Sequence, residues 1–261
     1  MYRWITLLTD FGASDPYVAV LKGVMIRIAP AATLIDITHG IAPQDVAAAA
    51  FCLGQAWRHF PPGTVHLAVV DPGVGGERRA IALEEGGSFF VGPDNGVFSA
   101  ILTQAQGAAA VALTNRACWR TPTPSPTFHG RDVFAPAAAW IATGLPLPRL
   151  GDPVDPASLV RLAEPAWAAE ENVITGSIQY MDGFGNLVTT IPGEAVADGT
   201  WLVVWGKQAI PLGKTYGAVP AGGLLALTGS HGFVEIAASG GSARDLLRAE
   251  RGMPVVLRRQ R

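Results

Sequence analysis

The sequence predicts an α/β protein in which an N-terminal, doubly wound and largely parallel α/β domain is followed by a smaller C-terminal all-β barrel domain. Up to residue 145, short apolar runs alternate with segments of helical character, which is typical of a mostly parallel sheet covered by helices. From residue 173 onward, short strand-like runs separated by turn residues indicate an all-β barrel or sandwich. Prolines are concentrated between the two regions. We therefore expect domains at residues 1–147 and 172–261, joined by a linker at residues 148–171.

The elements of the N-terminal domain follow from apolar runs and from the residues that interrupt them. Asp15 and Pro16 indicate the N-cap and the first turn of a helix that ends before Pro30. The turn Glu85-Gly86-Gly87 lies between two apolar runs and indicates a β-hairpin. We expect further helices at residues 45–57, 97–105 and 132–143, and strands at residues 5–9, 34–38, 65–70, 81–83, 89–91 and 111–113.

The elements of the C-terminal domain are shorter and closer together. Turn residues separate the apolar runs, and only the region around residues 243–251 has a helical pattern. We expect strands at residues 173–180, 187–191, 201–204, 224–227 and 234–237.

Composition excludes several classes of function. The chain of 261 residues has a formal net charge of −2 and no basic stripe, which argues against a nucleic-acid partner. No apolar stretch approaches the roughly 20 residues that cross a bilayer, and the first apolar run is too short for a signal peptide. The two cysteines, Cys52 and Cys118, form neither a disulfide framework nor a metal-ligand spacing. We therefore expect a cytoplasmic protein without a membrane partner.

Two acidic residues follow predicted strands of the N-terminal domain. Asp71 comes directly after the run at residues 65–70, and Arg78 could return to the same place after a glycine-rich turn. Asp10 follows the run at residues 5–9. A carboxylate at the carboxyl end of a parallel strand faces the crevice in which such folds bind ligands, and Asp10 could accept ribose hydroxyls there. Taken alone, each motif is also typical of a tight turn.

A histidine follows a proline-rich loop and precedes a predicted helix. His129, in Phe128-His129-Gly130-Arg131-Asp132, could orient or deprotonate a water molecule there, or it could simply be solvated. A metal site could combine it with Asp10, Asp71 and Asp94, but these residues form no compact ligand signature. The sequence also has no phosphate-binding loop, which favours a ligand with little or no phosphate. We therefore prefer a metal-free site.

Three further polar turns could bind a ligand or only reverse the chain. The first contains Asp94 and Asn95. The second, Asp182-Gly183-Phe184-Gly185-Asn186, places an aromatic ring between glycines, which suits stacking on a flat ligand. The third contains Ser230, whose hydroxyl and neighbouring N–H groups could bind a carboxylate.

Together these motifs closely resemble the S-adenosyl-L-methionine (SAM) hydroxide adenosyltransferase family, the adenosine-forming SAM hydrolases related to fluorinase and chlorinase. The resemblance covers nearly the whole chain, and it implies hydrolysis of SAM to adenosine and L-methionine without a metal or other cofactor. It also implies a homotrimer, in which each active site lies between the N-terminal domain of one subunit and the C-terminal domain of a neighbour. The motifs that carry it are, in order, Thr9-Asp10-Phe11-Gly12, Asp15-Pro16-Tyr17, Lys22-Gly23, Asp71-Pro72-Gly73-Val74-Gly75 with Arg78, Gly92-Pro93-Asp94-Asn95-Gly96, Thr127-Phe128-His129-Gly130-Arg131-Asp132, and the turn from Asp182 to Asn186.

The resemblance also implies a role for each candidate residue. The catalytic set is Asp71, Arg78 and His129. The connection from Asp71 to the next strand is too short for the extra loop of the halogenating relatives, which disfavours halogenation. The implied substrate-binding residues are Asp10 at the ribose, Asp182 and Ser230 at the methionine end, Phe128, Phe184 and Asn186 on the adenine side, with Asp94 and Asn95 completing the set.

The chemistry is consistent with these residue types. A sulfonium is already a good leaving group, so the protein has mainly to hold a water molecule in line with C5′ and the sulfur. Such positioning can contribute up to about 7–11 kcal/mol. Asp71 is the expected partner of the water, with Arg78 and His129 fixing its carboxylate. Two alternatives stay open: a SAM- or adenosine-binding sensor with incidental turnover, and a metal-dependent nucleoside hydrolase.

Overall fold

The computed structural model describes residues 4–260 and divides the chain into two compact units, the first ending at Leu162 and the second beginning at Ala163. This division lies inside the proline-rich segment 148–171. The first unit continues past residue 147 because Leu150 and Leu159 are buried and a short strand within the segment joins the sheet. Within residues 4–260, no helix is long and apolar enough to cross a membrane.

The first unit contains seven described strands and four α-helices. A π-helical turn at Gly130–Phe134 runs directly into the last of these helices. The strands are β1 (Trp4–Thr9), β2 (Thr33–Thr38), β3 (Val65–Val69), β4 (Ala80–Glu85), β5 (Ser88–Pro93), β6 (Ala109–Ala112) and β7 (Pro153–Val154). The helices are α1 (Tyr17–Ile28), α2 (Val46–Ala56), α3 (Ser99–Leu102) and α4 (Ala135–Ala142).

The strands form one sheet in the order β2-β1-β3-β5-β4-β6-β7. The first four are parallel, whereas β4, β6 and β7 pair antiparallel. The hairpin that joins β4 to β5 turns at Gly86 (φ +57°) and Gly87 (φ +75°). Two successive positive φ values belong to the tight turn that matches strand twist, and glycine adopts them without a steric penalty. The α/β fold and the hairpin are therefore confirmed, in a sheet that is half parallel.

Strand side chains alternate between two apolar cores. On one face, Leu7 and Leu67 belong to the core that includes residues of α1 and α4. On the other face, the Phe90 ring contacts Trp57, which follows α2, and Phe98, which precedes α3, with ring centroids 5.4 and 6.1 Å apart. The central strands are therefore buried on both sides, as is usual for parallel strands covered by helices.

Three predicted helix boundaries are wrong. Helix α1 begins at Tyr17 with Pro16 in the N-cap position, so Asp15 does not cap it. The helix expected at residues 97–105 is reduced to the four residues of α3, because the N–H groups of Gln104 and Ala105 bond to carbonyls three residues back and tighten the chain into turns. The helix expected at residues 132–143 begins as the π-helical turn and becomes α-helical only at Ala135.

The second unit is an antiparallel, nearly closed barrel. Its strand order is β12-β11-β15-β9-β10-β14-β13, and β8 pairs with β9 outside this order. The N–H of Gly213, after β12, donates to the carbonyl of Ala226 in β13 at 2.7 Å, which links the two ends of the order. The predicted barrel is therefore confirmed. Its elements are β8 (Ala168–Glu170), β9 (Val173–Met181), β10 (Leu187–Pro192), β11 (Trp201–Trp205), β12 (Gln208–Pro211), β13 (Leu224–Thr228), β14 (Phe233–Ala238), α5 (Ala243–Leu247) and β15 (Pro254–Arg259).

A histidine is fully buried in the core of the first unit. His66, in β3, lies 2.8 Å from the Thr6 hydroxyl through Nδ1, and its ring stacks on Phe90 with centroids 5.1 Å apart. Burial disfavours the charged ring and lowers the pKa of His66 to about 4. The native protein therefore keeps this ring neutral under mildly acidic conditions.

We expect His66 to make the protein sensitive to acid. Between pH 6.5 and 4 the unfolded chain binds a proton at this ring and the native state does not, so the free energy of unfolding rises with pH in that range. From pH 7 to pH 5 the free energy of unfolding of the wild type should fall by about 2 kcal/mol because of His66. Denaturant unfolding of wild type and His66→Gln at both pH values measures it. Equal losses in the two proteins would contradict the prediction.

Candidate active site

The carboxyl ends of β1 and β3 border a pocket of about 370 Å³ in the first unit. Because β1 pairs with β2 on one side and β3 pairs with β5 on the other, the pocket lies where the winding of the sheet changes direction. Ligands of doubly wound folds bind at this position. Asp10 lines the pocket after β1, Asp71 lines it after β3, and residues 127–130 contribute a third segment. The volume is that of a small-molecule site.

The three predicted catalytic residues are in direct contact. Arg78 Nε lies 3.0 and 3.1 Å from the two carboxylate oxygens of Asp71, and Arg78 Nη2 lies 2.5 Å from Oδ2. The same Nη2 lies 2.8 Å from His129 Nδ1. The Arg78 and Asp71 side chains are only 10% and 6% exposed, and the guanidinium also covers the Phe134 ring at 5.1 Å. Sequence reasoning therefore identified a set that the structure brings together.

The contact with Arg78 defines the protonation of His129. A guanidinium has no acceptor, so it donates to Nδ1, and the neutral ring carries its proton on Nε2. Burial lowers the pKa of His129 below its ordinary value of 6.5, and the charge of Arg78 lowers it further. The Asp71 and Asp132 carboxylates oppose this shift without reversing it. At neutral pH the ring is neutral, and its remaining polar group is the Nε2–H donor.

The loop between β3 and β4 places Asp71 and Arg78 by close packing. Gly75 has φ +75°, and a Cβ atom at this position would lie 2.2 Å from the carbonyl oxygen of Pro126. The loop thus approaches the segment before His129 at backbone distance, which only glycine permits. The end of β3 is held by Asn95, whose amide donates to the carbonyl of Val70 at 2.9 Å.

The pocket walls include residues that the sequence analysis did not assign to the site. The rings of Phe11, Tyr17 and Phe128 contact one another edge to face, with centroids 5.4–6.0 Å apart. Asp10 Oδ2 accepts the N–H of Gln44 at 2.8 Å, and Gln44 has a positive φ of 67°, which is uncommon outside glycine. Phe11 and Tyr17 could have been found from their closeness to Asp10 in sequence. Nothing in the sequence marks Gln44.

Asp94 and Asn95 do not line this pocket. The carboxylate of Asp94 is buried and accepts Arg79 Nε at 2.7 Å and the N–H of Val160 at 2.8 Å. It therefore attaches the proline-rich segment to the first unit. Asn95 supports the strand that precedes Asp71. Both side chains make hydrogen bonds within the first unit, and the structure does not bring them to this pocket.

The remaining candidates belong to the second unit. In the loop between β9 and β10, Asp182 Oδ1 accepts the N–H groups of Phe184 and Asn186 at 2.9 Å each, and Oδ2 accepts the Asn186 amide at 2.9 Å. The Phe184 ring is 80% exposed. Ser230 lies in the turn between β13 and β14, and strand register places this turn and the Asp182 loop at opposite ends of β10. The structure therefore brings Asp182, Phe184 and Asn186 together in one loop, whereas Ser230 lies in another turn of the same unit.

A hydrogen-bonded group that the sequence analysis missed lies next to Ser230. The buried carboxylate of Glu235 accepts the Tyr216 hydroxyl at 2.8 Å and lies 3.0 Å from His231 Nε2. His231 Nδ1 accepts the N–H of Phe233 at 3.1 Å, so the ring proton is on Nε2. Burial and the adjacent Glu235 raise the pKa of Tyr216 to about 12, which keeps its hydroxyl protonated. These contacts hold the turn that carries Ser230.

The fold and the pocket define an α/β protein with a small-molecule site at the switch point of its sheet and a barrel as its second unit. Models of the SAM hydroxide adenosyltransferase N-terminal and C-terminal domains match residues 5–151 and 176–256. The chain therefore belongs to the SAM hydroxide adenosyltransferase family.

Individual relatives are similar over nearly their whole length. The (R)-S-adenosyl-L-methionine hydrolase of Salinispora arenicola is 43% identical over 245 residues, which are 94% of this chain and 93% of the relative. The hydrolase of the same name from Thermus thermophilus is 41% identical over 267 residues, with 98% and 99% covered. A crystal structure of an uncharacterised conserved protein from Thermotoga maritima has a TM-score of 0.89 at 37% identity and covers 99% of this chain and 100% of that one.

We expect Gly75→Ala to destabilise the first unit more than Gly12→Ala does. Both glycines have similar positive φ values, +75° and +68°, but a Cβ at Gly12 would meet no atom within 4 Å. Gly12→Ala should therefore cost only the conformational strain, about 1–2 kcal/mol. Gly75→Ala adds the collision with Pro126, which should cost about 1–3 kcal/mol more. Denaturant unfolding measures both, and equal losses would show that the two loops are not in close contact.

Proposed function

We propose that this protein hydrolyses S-adenosyl-L-methionine to adenosine and L-methionine by in-line attack of water on C5′. The observation that carries the proposal is the contact of Asp71, Arg78 and His129 at the pocket on the switch point of the sheet. Membership of the SAM hydroxide adenosyltransferase family supports it, as do relatives that are named (R)-S-adenosyl-L-methionine hydrolase.

Asp71 is the proton acceptor in this proposal. The Nδ1 of His129 already accepts from Arg78, and its Nε2 carries a proton, so the ring can only donate to the water. On Asp71, Arg78 contacts Oδ2 twice and Oδ1 once, which leaves an acceptor position on Oδ1. As the water oxygen bonds to C5′, the C5′–S bond breaks and the electron pair leaves with sulfur. The water proton passes to Asp71 and then to solvent.

The other candidates bind the substrate in the same proposal. Asp10 has one carboxylate oxygen bonded to the backbone of Gln44 and can use the other for the ribose hydroxyls. The Phe128 ring, and Phe184 and Asn186 of the second unit, provide the apolar and amide surfaces expected beside adenine. Asp182 and Ser230 are assigned to the methionine amine and carboxylate by family resemblance.

We also propose that the protein works as a homotrimer with active sites shared between subunits, in the cytoplasm. Family resemblance supports the trimer, and a composition with only two cysteines favours a reducing compartment. Light scattering of the purified protein would measure the number of subunits.

We expect purified protein to release adenosine and L-methionine from SAM, and Asp71→Asn to reduce kcat by about 10²–10⁴-fold because the proton acceptor is lost. Chromatography of the products, with each sulfonium epimer supplied separately, measures turnover and the preferred epimer. Adenosine should still bind Asp71→Asn in calorimetry, since the pocket keeps its shape.

Three controls separate this function from its alternatives. Within residues 4–260, no group of three or more His, Cys, Asp or Glu side chains is arranged to hold a metal ion. EDTA should leave turnover unchanged, and loss of turnover with EDTA would favour a metal-dependent hydrolase. Tight adenosine binding without turnover would favour a sensor. A halogenated nucleoside formed in the presence of chloride or fluoride would contradict simple hydrolysis.

We expect kcat/KM to fall only in acid. His129 must be neutral for Nδ1 to accept from Arg78, and burial together with Arg78 lowers the pKa of His129 below 6.5. The midpoint of the acid limb should therefore lie below pH 6.5, and activity should decrease through it as the ring is protonated. A profile from pH 4.5 to 8 measures the midpoint, and His129→Asn should lose the acid limb that the ring produces. A midpoint above 6.5 would rule out this assignment.

A further inference from the structure

A buried carboxylate three residues after His129 is not used by the proposed chemistry. Asp132 lies in the π-helical turn and is fully buried. Its Oδ1 accepts Arg120 Nε and, at 2.7 Å, Arg131 Nε. Its Oδ2 accepts Arg131 Nη2 at 2.7 Å and the N–H of Ser125 at 2.8 Å. The acceptor capacity of the carboxylate is thus filled by two cations and one backbone group.

These contacts close the loop that precedes His129. The N–H of Arg120 donates to the carbonyl of Asp132 at 2.9 Å, and the N–H of Asp132 lies 3.2 Å from the carbonyl of Phe128. Three of the five residues at 122–126 are prolines, which have no N–H to donate. The loop therefore has few backbone donors of its own, and Ser125 gives its N–H to Asp132. The shape of the loop depends on a side chain that lies outside it.

The same carboxylate arranges the pocket wall. Arg131, held by Asp132, places its guanidinium 5.1 Å from the centre of the Phe128 ring. Thr127, Phe128 and His129 all line the pocket. The π-helical turn directly after His129 adds a residue to the ordinary helical turn, and such turns are frequent at functional sites.

Asp132 is charged at every working pH. Burial alone would raise the pKa of Asp132, but the hydrogen bonds from Arg131, Arg120 and Ser125 outweigh it and hold that pKa well below its ordinary range. Three charged groups act on the His129 ring: Arg78 lowers its pKa, and Asp71 and Asp132 raise it. Asp132 thus acts on His129 by geometry and by charge.

We propose that Asp132 is a positioning residue for the reaction, which holds His129 and the 120–128 loop against the Asp71–Arg78 pair. The inference rests on the proposed hydrolysis of SAM. It assigns to the Arg131-Asp132 pair a role beyond a local ion pair, since the pair links the pocket wall to the catalytic set.

The variant Asp132→Asn tests the proposal. Asparagine has the same size, but it has a single acceptor oxygen and turns an NH₂ group toward Arg120, Arg131 or the N–H of Ser125. We expect kcat/KM for SAM to fall at least tenfold, through both a higher KM and a lower kcat. We also expect the acid limb of the pH profile to move to lower pH, because a charge that favours the protonated His129 ring is removed.

Two further variants separate positioning from stability. Leu53→Ala truncates a fully buried core residue of α2, and it should lower the melting temperature without moving KM or the acid limb. Arg120→Met removes the ion pair between Asp132 and the start of the loop. The Arg120 side chain is half-exposed, and Asp132 stays charged in this variant. It should raise KM several-fold and leave the acid limb in place. If Asp132→Asn does not fold, Arg120→Met decides the question, and an unchanged KM would overturn the proposal.

The outcomes are distinguishable from failure of the proposed function. If the wild type releases no adenosine from SAM, the proposed hydrolysis is wrong. If the wild type is active and folded Asp132→Asn keeps kcat/KM within twofold and an unmoved acid limb, only the positioning role is overturned.

Discussion

The arrangement of the pocket depends on the guanidinium of Arg78. It bonds both oxygens of Asp71, it donates to His129, and it covers the Phe134 ring, all with little exposure to solvent. A buried carboxylate is stable only when it is paired and hydrogen-bonded. Because arginine stays protonated and can only donate, this one group donates to both oxygens of Asp71 and makes the Nδ1 of His129 an acceptor. Arg78 thus determines which groups of the site donate hydrogen bonds and which accept them, and it does so without exchanging a proton.

The site is assembled from segments that are distant in the chain, and backbone packing brings them together. Asp71 and Arg78 belong to one short loop. His129 lies 51 residues after Arg78 and follows the proline-rich loop at residues 122–126. Gly75 allows the first loop to lie against Pro126. Asp132 accepts the N–H of Ser125, which belongs to the second loop. The catalytic geometry therefore depends on the contact between the two loops as well as on the hydrogen bonds within each of them.

Much of the fold and the centre of the site could be predicted from sequence, and the failures have physical causes. Strand periodicity and the Gly86-Gly87 turn predicted the sheet, the hairpin and the barrel. The family resemblance that the motifs carry implied that Asp71, Arg78 and His129 act as one set. The position of Gln44 depends on a backbone angle that its residue type does not reveal. The prolines predicted a linker at residues 148–171. They did not indicate that Leu150 and Leu159 are buried, which places residues up to 162 in the first unit.

The pairing of β15 has a consequence for how the second unit is made. This strand lies between β11 and β9, and its pairing with β9 spans some 80 residues of chain. During synthesis β9 and β11 have no neighbour on that side until residues 254–259 emerge, so the barrel closes only after all the other strands of the second unit have been made. The described strand pairs of the first unit all join residues before 163, so they can form earlier. Long-range strand pairing is the slow step in folding, which leaves open strand edges in the second unit exposed for longest on the ribosome.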